Sequence, residues 1–166
     1  MRSNSADAQD KPAVAVVLPT YCEAGNIESL IHEIQSLELN CSIVVVDDSS
    51  PDGTAERVKN LQRKYGNLLL YVRPAKHGLG TAIADAFKLI QSLKNPPDYI
   101  ITMDADYSHD PKEAIDLIRI AEKGCDLVVG SRYCEGGRIV GWSPFRWFIS
   151  RLANVIASAT IGTRMR

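Results

Sequence analysis

The sequence contains no apolar run approaching the ~20 residues of a membrane-spanning helix, so any membrane contact these residues make is expected to be peripheral. Its first dozen residues, MRSNSADAQDKP, are polar and acidic and lack the apolar stretch of a secretory signal. Residues 1–12 are therefore expected to form a disordered tail. Cys22, Cys41, Cys125 and Cys134 form no C-x-x-C pair and no zinc spacing, which implies reduced thiols and a cytosolic setting. No G-x-G-x-x-G follows the first apolar run, which argues against a dinucleotide-binding domain, and no P-loop pattern occurs. Ser108, His109 and Asp110 are adjacent and cannot align as a catalytic relay. No internal repeat is present, and no nucleic-acid partner is expected.

What is present is an ordinary soluble composition, 45% hydrophobic and 23% charged. The net charge of -1 hides an asymmetry: residues 130–166 carry six arginines against Glu135 alone. Such a basic end suits phosphate or an anionic surface.

Apolar runs alternate with amphipathic segments. AVAVVLP (13–19), SIVVVDD (42–48), NLLLYV (67–72), Tyr99–Met103 and DLVVGSR (126–132) read as strands. Between them, 26–37 places Ile27, Leu30, Ile31, Ile34 and Leu37 on one helical face. Asp52 is expected to cap a helix with Ala55, Val58 and Leu61 inward. A helix from about Thr81 to Leu93 presents Ile83, Phe87 and Ile90. The segment 110–124 has Asp110 as N-cap, Pro111 at the first position, Glu113 completing a capping box and Gly124 as stop. This alternation predicts an α/β protein with a mostly parallel, Rossmann-like central sheet flanked by helices. Ligands of such sheets bind at the carboxyl ends of the strands.

The strand ends carry the informative residues. Asp104 and Asp106 close the fourth strand with only Ala105 between them. In an extended segment they point the same way, and their repulsion is relieved by a divalent cation. Two carboxylates with several open positions suit Mg²⁺ or Mn²⁺ carrying a diphosphate. Asp47 and Asp48 end the second strand, where an acid is placed to hydrogen-bond a base or ribose; a helix-capping turn accounts for one of them. After the first strand, Tyr21 is suited to stack on a base and Glu23 to accept hydrogen bonds from base or ribose. Arg132 follows the fifth strand, within reach of a phosphate. GLGTA (78–82) is either a phosphate-approaching loop or a tight turn into a helix.

Taken together, VVLPTYCEAGNI, VVVDDSSPDGT, GLGTA, MDADYSHDP and VVGSRY, in this order and spacing, resemble the dolichol-phosphate mannosyltransferases. These are inverting family-two glycosyltransferases with a GT-A fold. The resemblance implies transfer of mannose from GDP-mannose to dolichyl or another polyprenyl phosphate. The reaction would take place at the cytoplasmic face of a membrane: endoplasmic reticulum in a eukaryote, plasma membrane in a prokaryote. It implies that Pro19, Tyr21 and Glu23 hold the guanosine and that Val46 and Asp48 line the base and ribose. Asp104, Ala105 and Asp106 would take the diphosphate through the metal, with Asp106 as the catalytic residue, and Arg132 would stand at the donor site. A UDP-glucose-dependent polyprenyl-phosphate transferase, or a non-catalytic nucleotide-sugar-binding fragment, are the alternatives.

Two features depart from the family pattern. Cys22 stands where the family has asparagine. A segment of the type D-P-T-S-G-F-R, which supplies part of the acceptor site, does not follow IGTRMR, so the chain is expected to be shortened at its C-terminus. The expected organisation is a nucleotide-sugar-binding domain over 13–141 and an amphipathic basic segment over 142–166. In the latter, Ser150, Asn154 and Ser158 form a narrow polar stripe, and Trp147, Phe148, Ile149, Leu152, Val155 and Ile156 cover the rest. That pattern suits a membrane interface, a membrane-anchoring partner subunit, or further protein packed against it.

Overall fold

The computed structural model describes residues 11–131, 133, 141 and 143–161. Most of the expected N-terminal tail lies outside these residues. Four strands form one parallel sheet: β1 (Val14–Thr20), β2 (Cys41–Asp47), β3 (Leu68–Val72) and β4 (Tyr99–Thr102), in the order β3-β2-β1-β4. They alternate with α1 (Ile27–Ser36), α2 (Thr54–Gln62), α3 (Leu79–Gln91) and α4 (Glu113–Ala121), and α5 (Pro144–Ile161) follows. The chain winds outward through β2 to β3, then crosses back over β1 to lay β4 on the other side. The winding reverses between β1 and β4, which places the ligand crevice of an open parallel sheet at their carboxyl ends.

Both faces of β1 are buried because successive side chains alternate across the sheet. Val14, Val16 and Leu18 pack with Ile27, Leu30, Ile31 and Ile34 of α1, Val58 and Leu61 of α2, and Ala114 and Ile118 of α4. Ala15 and Val17 face the opposite way, onto Ala82, Ala86 and Ile90 of α3. Burying each large aliphatic side chain of α1 contributes about 1.5–3 kcal/mol.

The structure corrects several sequence expectations. The inward face of α3 is Ala82, Ala86 and Ile90, with Ile83 half-buried and Phe87 at the surface. Small side chains let this helix lie close on the sheet, so residue size selected the face. The Asp52 carboxylate does accept the Thr54 amide, at 3.1 Å, although the N-cap position itself is Gly53, with φ +90°. Likewise Asp110 accepts the Lys112 amide at 2.9 Å, and α4 proper begins only at Glu113. Gly124, at φ +93°, ends that helix as expected, since the left-handed region costs glycine nothing. The fifth strand is absent from the described part of 126–132: residues 127–131 pair with no strand, and Leu127 and Val129 are 81% and 73% exposed. An apolar run becomes a strand only where an edge takes it up.

On helix α5, Ser150 and Asn154 of the expected polar stripe are half-buried. The Tyr133 hydroxyl and Ser150 Oγ are hydrogen-bonded at 2.8 Å, and the Arg151 guanidinium lies over the rings of Tyr133 and Trp147. Phe145, Phe148, Leu152, Val155 and Ile156 are left exposed. No helix among the described residues is long and apolar enough to cross a membrane.

Candidate functional site at the carboxyl edge of the sheet

The loops after β1 and β2 are knitted together by the side chains of DDSSPDGT. Asp47, fully buried, accepts the Thr20 hydroxyl at 2.9 Å, the Ser50 hydroxyl at 2.6 Å and the Ser50 amide at 2.9 Å. Three successive amides of the first loop are then satisfied by the second: Cys22 donates to Ser50 Oγ, Glu23 to Thr54 Oγ1 and Ala24 to Asp52 Oδ2, at 2.9, 3.0 and 2.9 Å. Thr54's hydroxyl holds the Asp52 carboxyl below the usual carboxylate range. This mutual satisfaction fixes the backbone that presents Tyr21 and Glu23.

Tyr21 is 41% exposed, with the Lys76 ammonium 3.4 Å from its ring centroid. Glu23 is half-buried and accepts the Asn26 side-chain amide through Oε2 at 3.0 Å. Pro19 is half-buried within β1 beside Val46 of β2. The Val46 side chain itself lies in the core facing α3.

Asp48 is buried at the start of the loop after β2. Its Oδ1 lies 2.9 Å from Arg73 Nη1, as a charge pair without hydrogen-bond alignment at that oxygen, and its Oδ2 accepts the Gly78 amide at 2.9 Å. Arg73, only 2% exposed, also donates to Thr81 Oγ1 at 2.7 Å and stands 3.5 Å from Asp85. Sequence reasoning missed this arginine entirely. Nothing local marks it, because its partners come from the end of β2 and from α3.

Past β4, Ala105 is buried against α1 and α4 while Asp104 is half-buried and Asp106 exposed. The small residue between the acids is thus an anchor that turns them outward. The chain bends at Ala105 and Asp106 instead of running extended, which corrects the geometry expected from the spacing. The turn has its own bonds: the Asp104 amide donates to His109 Nδ1 at 3.1 Å, and Asp106 Oδ1 accepts the Ser108 amide at 2.8 Å. Hydrogen bonds from Ser108 hold the Asp106 carboxyl below the ordinary range, with His109 adding a smaller pull. Between the acids and the helix, Tyr107 adopts φ +62°. Burial and the nearby Glu33 raise its phenol above the usual value.

The Asp104 carboxylate has no hydrogen-bond partner among the described residues, and no group of three or more His, Cys, Asp or Glu there is placed to hold a metal. A hard-oxygen pair that leaves most positions to water and ligand oxygens fits Mg²⁺ or Mn²⁺. Arg132 lies outside the described residues.

Cys22 adopts φ +62°, a left-handed conformation that asparagine tolerates far better than cysteine. The departure from the family pattern therefore falls on a strained position. Cys22→Asn is expected to stabilise the protein by about 0.5–1 kcal/mol, measurable in urea. A loss of stability would show that the thiol packs usefully.

The glycosyl transferase family 2 model matches residues 15–164. A dolichol-phosphate mannosyltransferase of Pyrococcus furiosus is 37% identical over 145 residues, covering 86% of this chain and 40% of the relative. A polyprenol monophosphomannose synthase of Mycolicibacterium smegmatis is 33% identical over 148 residues, covering 89% and 55%. The chain thus spans about half the length of these curated relatives or less. Among solved structures, a Pyrobaculum calidifontis mannosyltransferase in complex with GDP-Man and Mn²⁺ superposes with a TM-score of 0.52. It is 28% identical, with 58% of this chain and 28% of that one covered. Sheet order, helix placement and the match across nearly all of the sequence agree: this chain belongs to glycosyl transferase family 2 and has the GT-A type of α/β fold.

Proposed function

We propose that these residues form the donor-binding part of a metal-dependent inverting transferase that passes mannose from GDP-mannose to dolichyl or another polyprenyl phosphate. The observation that carries this reading is the acid pair at the end of β4. Asp104 and Asp106 flank a core-anchored Ala105 at the point where the sheet's winding reverses. The choice of sugar and acceptor is supported by the two curated mannosyl relatives, and the choice of nucleotide by the GDP-Man complex of the Pyrobaculum enzyme.

In this reading Asp104 and Asp106 hold Mg²⁺ or Mn²⁺, which when bound offsets the charge developing on the departing GDP. Tyr21 offers its ring to the base, and Pro19 and Glu23 flank it. Val46, being in the core, shapes the floor from behind, while Asp48 acts through Arg73 and Gly78. Ala105 contributes backbone, and Arg132 would meet a phosphate. The attacking group is a phosphate monoester, largely anionic near neutral pH, so no side chain is required as general base. The outward apolar face of α5 supports peripheral contact with a membrane or an anchoring subunit, at the cytoplasmic face where such acceptors would be met.

The test is a thermal-shift titration with GDP-mannose and with UDP-glucose, each with and without Mn²⁺. GDP-mannose with Mn²⁺ is expected to raise the melting temperature by about 5–10 °C at about 100 Kd. A shift with UDP-glucose alone would move the donor assignment to that sugar. No shift with either would overturn the reading.

A further inference from the structure

In the loop from β3 to α3, Arg73 and Gly78 serve as anchors of Asp48, while the residues between them have no assigned part and yet reach Tyr21. Both ends of the loop are tied to the end of β2. Arg73 donates its backbone N–H to the Asp47 carbonyl at 2.8 Å and pairs with the Asp48 carboxylate. Gly78 donates its amide to the same carboxylate, and its carbonyl accepts from the Arg73 guanidinium at 3.3 Å. Gly78 takes φ +90° and ψ 167°, a conformation essentially reserved for glycine, so the return of the chain at this point is built in. Between these ties, residues 74–77 form a short exposed arch. From it Lys76 extends past β2 to the loop after β1 and sets its ammonium on the Tyr21 ring.

An exposed ammonium on an aromatic face gains about 0.5–1 kcal/mol. A charge-assisted hydrogen bond to a phosphate oxygen is the stronger interaction. The contact with Tyr21 is therefore a resting position that an anion outcompetes. A nucleoside diphosphate carries both things needed for that exchange: a flat base for the ring and a polyanion for the ammonium. The arch is anchored by buried groups, so the reach of Lys76 is bounded while its four-carbon stem stays free to swing.

We propose that Lys76 is a phosphate-binding residue of the donor site, resting on Tyr21 in the free protein and passing to the nucleotide's diphosphate when the base takes the ring. The proposal builds on the donor-site reading above.

The test is equilibrium binding of GDP, guanosine and geranyl phosphate, with Mn²⁺ constant, to the wild type, Lys76→Met and Lys76→Arg. Lys76→Met is expected to weaken GDP about tenfold while guanosine binding is unchanged or tighter. Lys76→Arg is expected to retain GDP within about threefold. Undiminished or tighter GDP binding by Lys76→Met, with the wild type binding GDP, would overturn the role of Lys76 and leave the donor site standing. An equal loss of guanosine would also overturn it, since the residue would then act through the base. Weakening of geranyl phosphate instead of GDP would overturn the donor assignment in favour of an acceptor phosphate. Failure of the wild type to bind GDP would overturn both readings together.

Discussion

Arg73→Met is expected to destabilise the protein by about 3–5 kcal/mol, the cost of leaving a buried charge without its partner. Methionine roughly matches the length of the arginine stem, so lost packing is a minor part of the effect. What goes is a guanidinium that faces Asp48 at 2.9 Å, Thr81 Oγ1 at 2.7 Å, the Gly78 carbonyl at 3.3 Å and Asp85 at 3.5 Å. Asp85 is one-third exposed and rehydrates. Asp48 does not: its side chain is 6% exposed and keeps only the Gly78 amide. Chemical denaturation of wild type, Arg73→Met and Arg73→Met/Asp48→Asn separates charge from shape. The double variant removes both charges and is expected to recover at least half of the loss. A single variant costing less than about 1 kcal/mol, or a double variant no better than the single, would mean that the pair is not what holds these loops.

Asp106→Asn is expected to remove the Mn²⁺-dependent part of donor binding and leave the fold intact. Asparagine keeps an oxygen able to accept the Ser108 amide, and the position is exposed, so the stability change stays within about 0.5 kcal/mol. The charge is what is lost. Thermal shift with GDP-mannose then gives the same value with and without Mn²⁺. Unchanged metal-dependent binding would refute Asp106 as a ligand. The pH dependence has a definite sign. The folded-state pKa of Asp106 is depressed by its Ser108 hydrogen bonds, so the stability it contributes is complete above the ordinary carboxylate pKa of about 3.9. It is lost only as pH falls through the lowered value. Without ligand, the stability difference between wild type and Asp106→Asn is therefore expected to be flat from about pH 5 to 8 and to shrink below about pH 4.

Residues that announce themselves locally were legible in the sequence. Ile27, Leu30, Ile31 and Ile34 recur at helical spacing and are the buried face of α1. The β-branched run of β2 marked a buried strand of the parallel sheet, and the acids Asp104 and Asp106 follow the carboxyl end of β4. Interactions made by topology were not legible. Arg73 looks like one surface cation among many until β2, β3 and α3 converge on it. Of Asp47 and Asp48, one reads from sequence as a turn-capping acid and the other as a ligand-binding one; the structure shows Asp47 stapling the turn, while the pairing of Asp48 with a buried arginine is not visible in the sequence. Hydrophobicity alone favoured Ile83 and Phe87 of α3 over Ala82 and Ala86, because it carries no information on how close a helix must lie. The run around Leu127 has strand-like composition, but no composition supplies a neighbouring edge.

The strand order also sets the sequence in which the parts of the site come into being. Thr20 and Asp47, which join the first two loops, are 27 positions apart, whereas Ala13 and Asp98, which secure β4 to β1, are 85 apart. Closing the longer loop costs more chain entropy and slows the contact that depends on it. The β1–β4 register is also the shorter, ending at Val17 and Thr102, while β1 and β2 stay paired through Thr20 and Asp47. The half of the edge that carries Tyr21 is thus expected to assemble early and open late, and the half that carries Asp104 and Asp106 to assemble last and open first. If the donor-site reading holds, a partly folded molecule would keep Tyr21 presented and lack the two acids, so metal affinity, more than nucleoside affinity, would report whether β4 is in place.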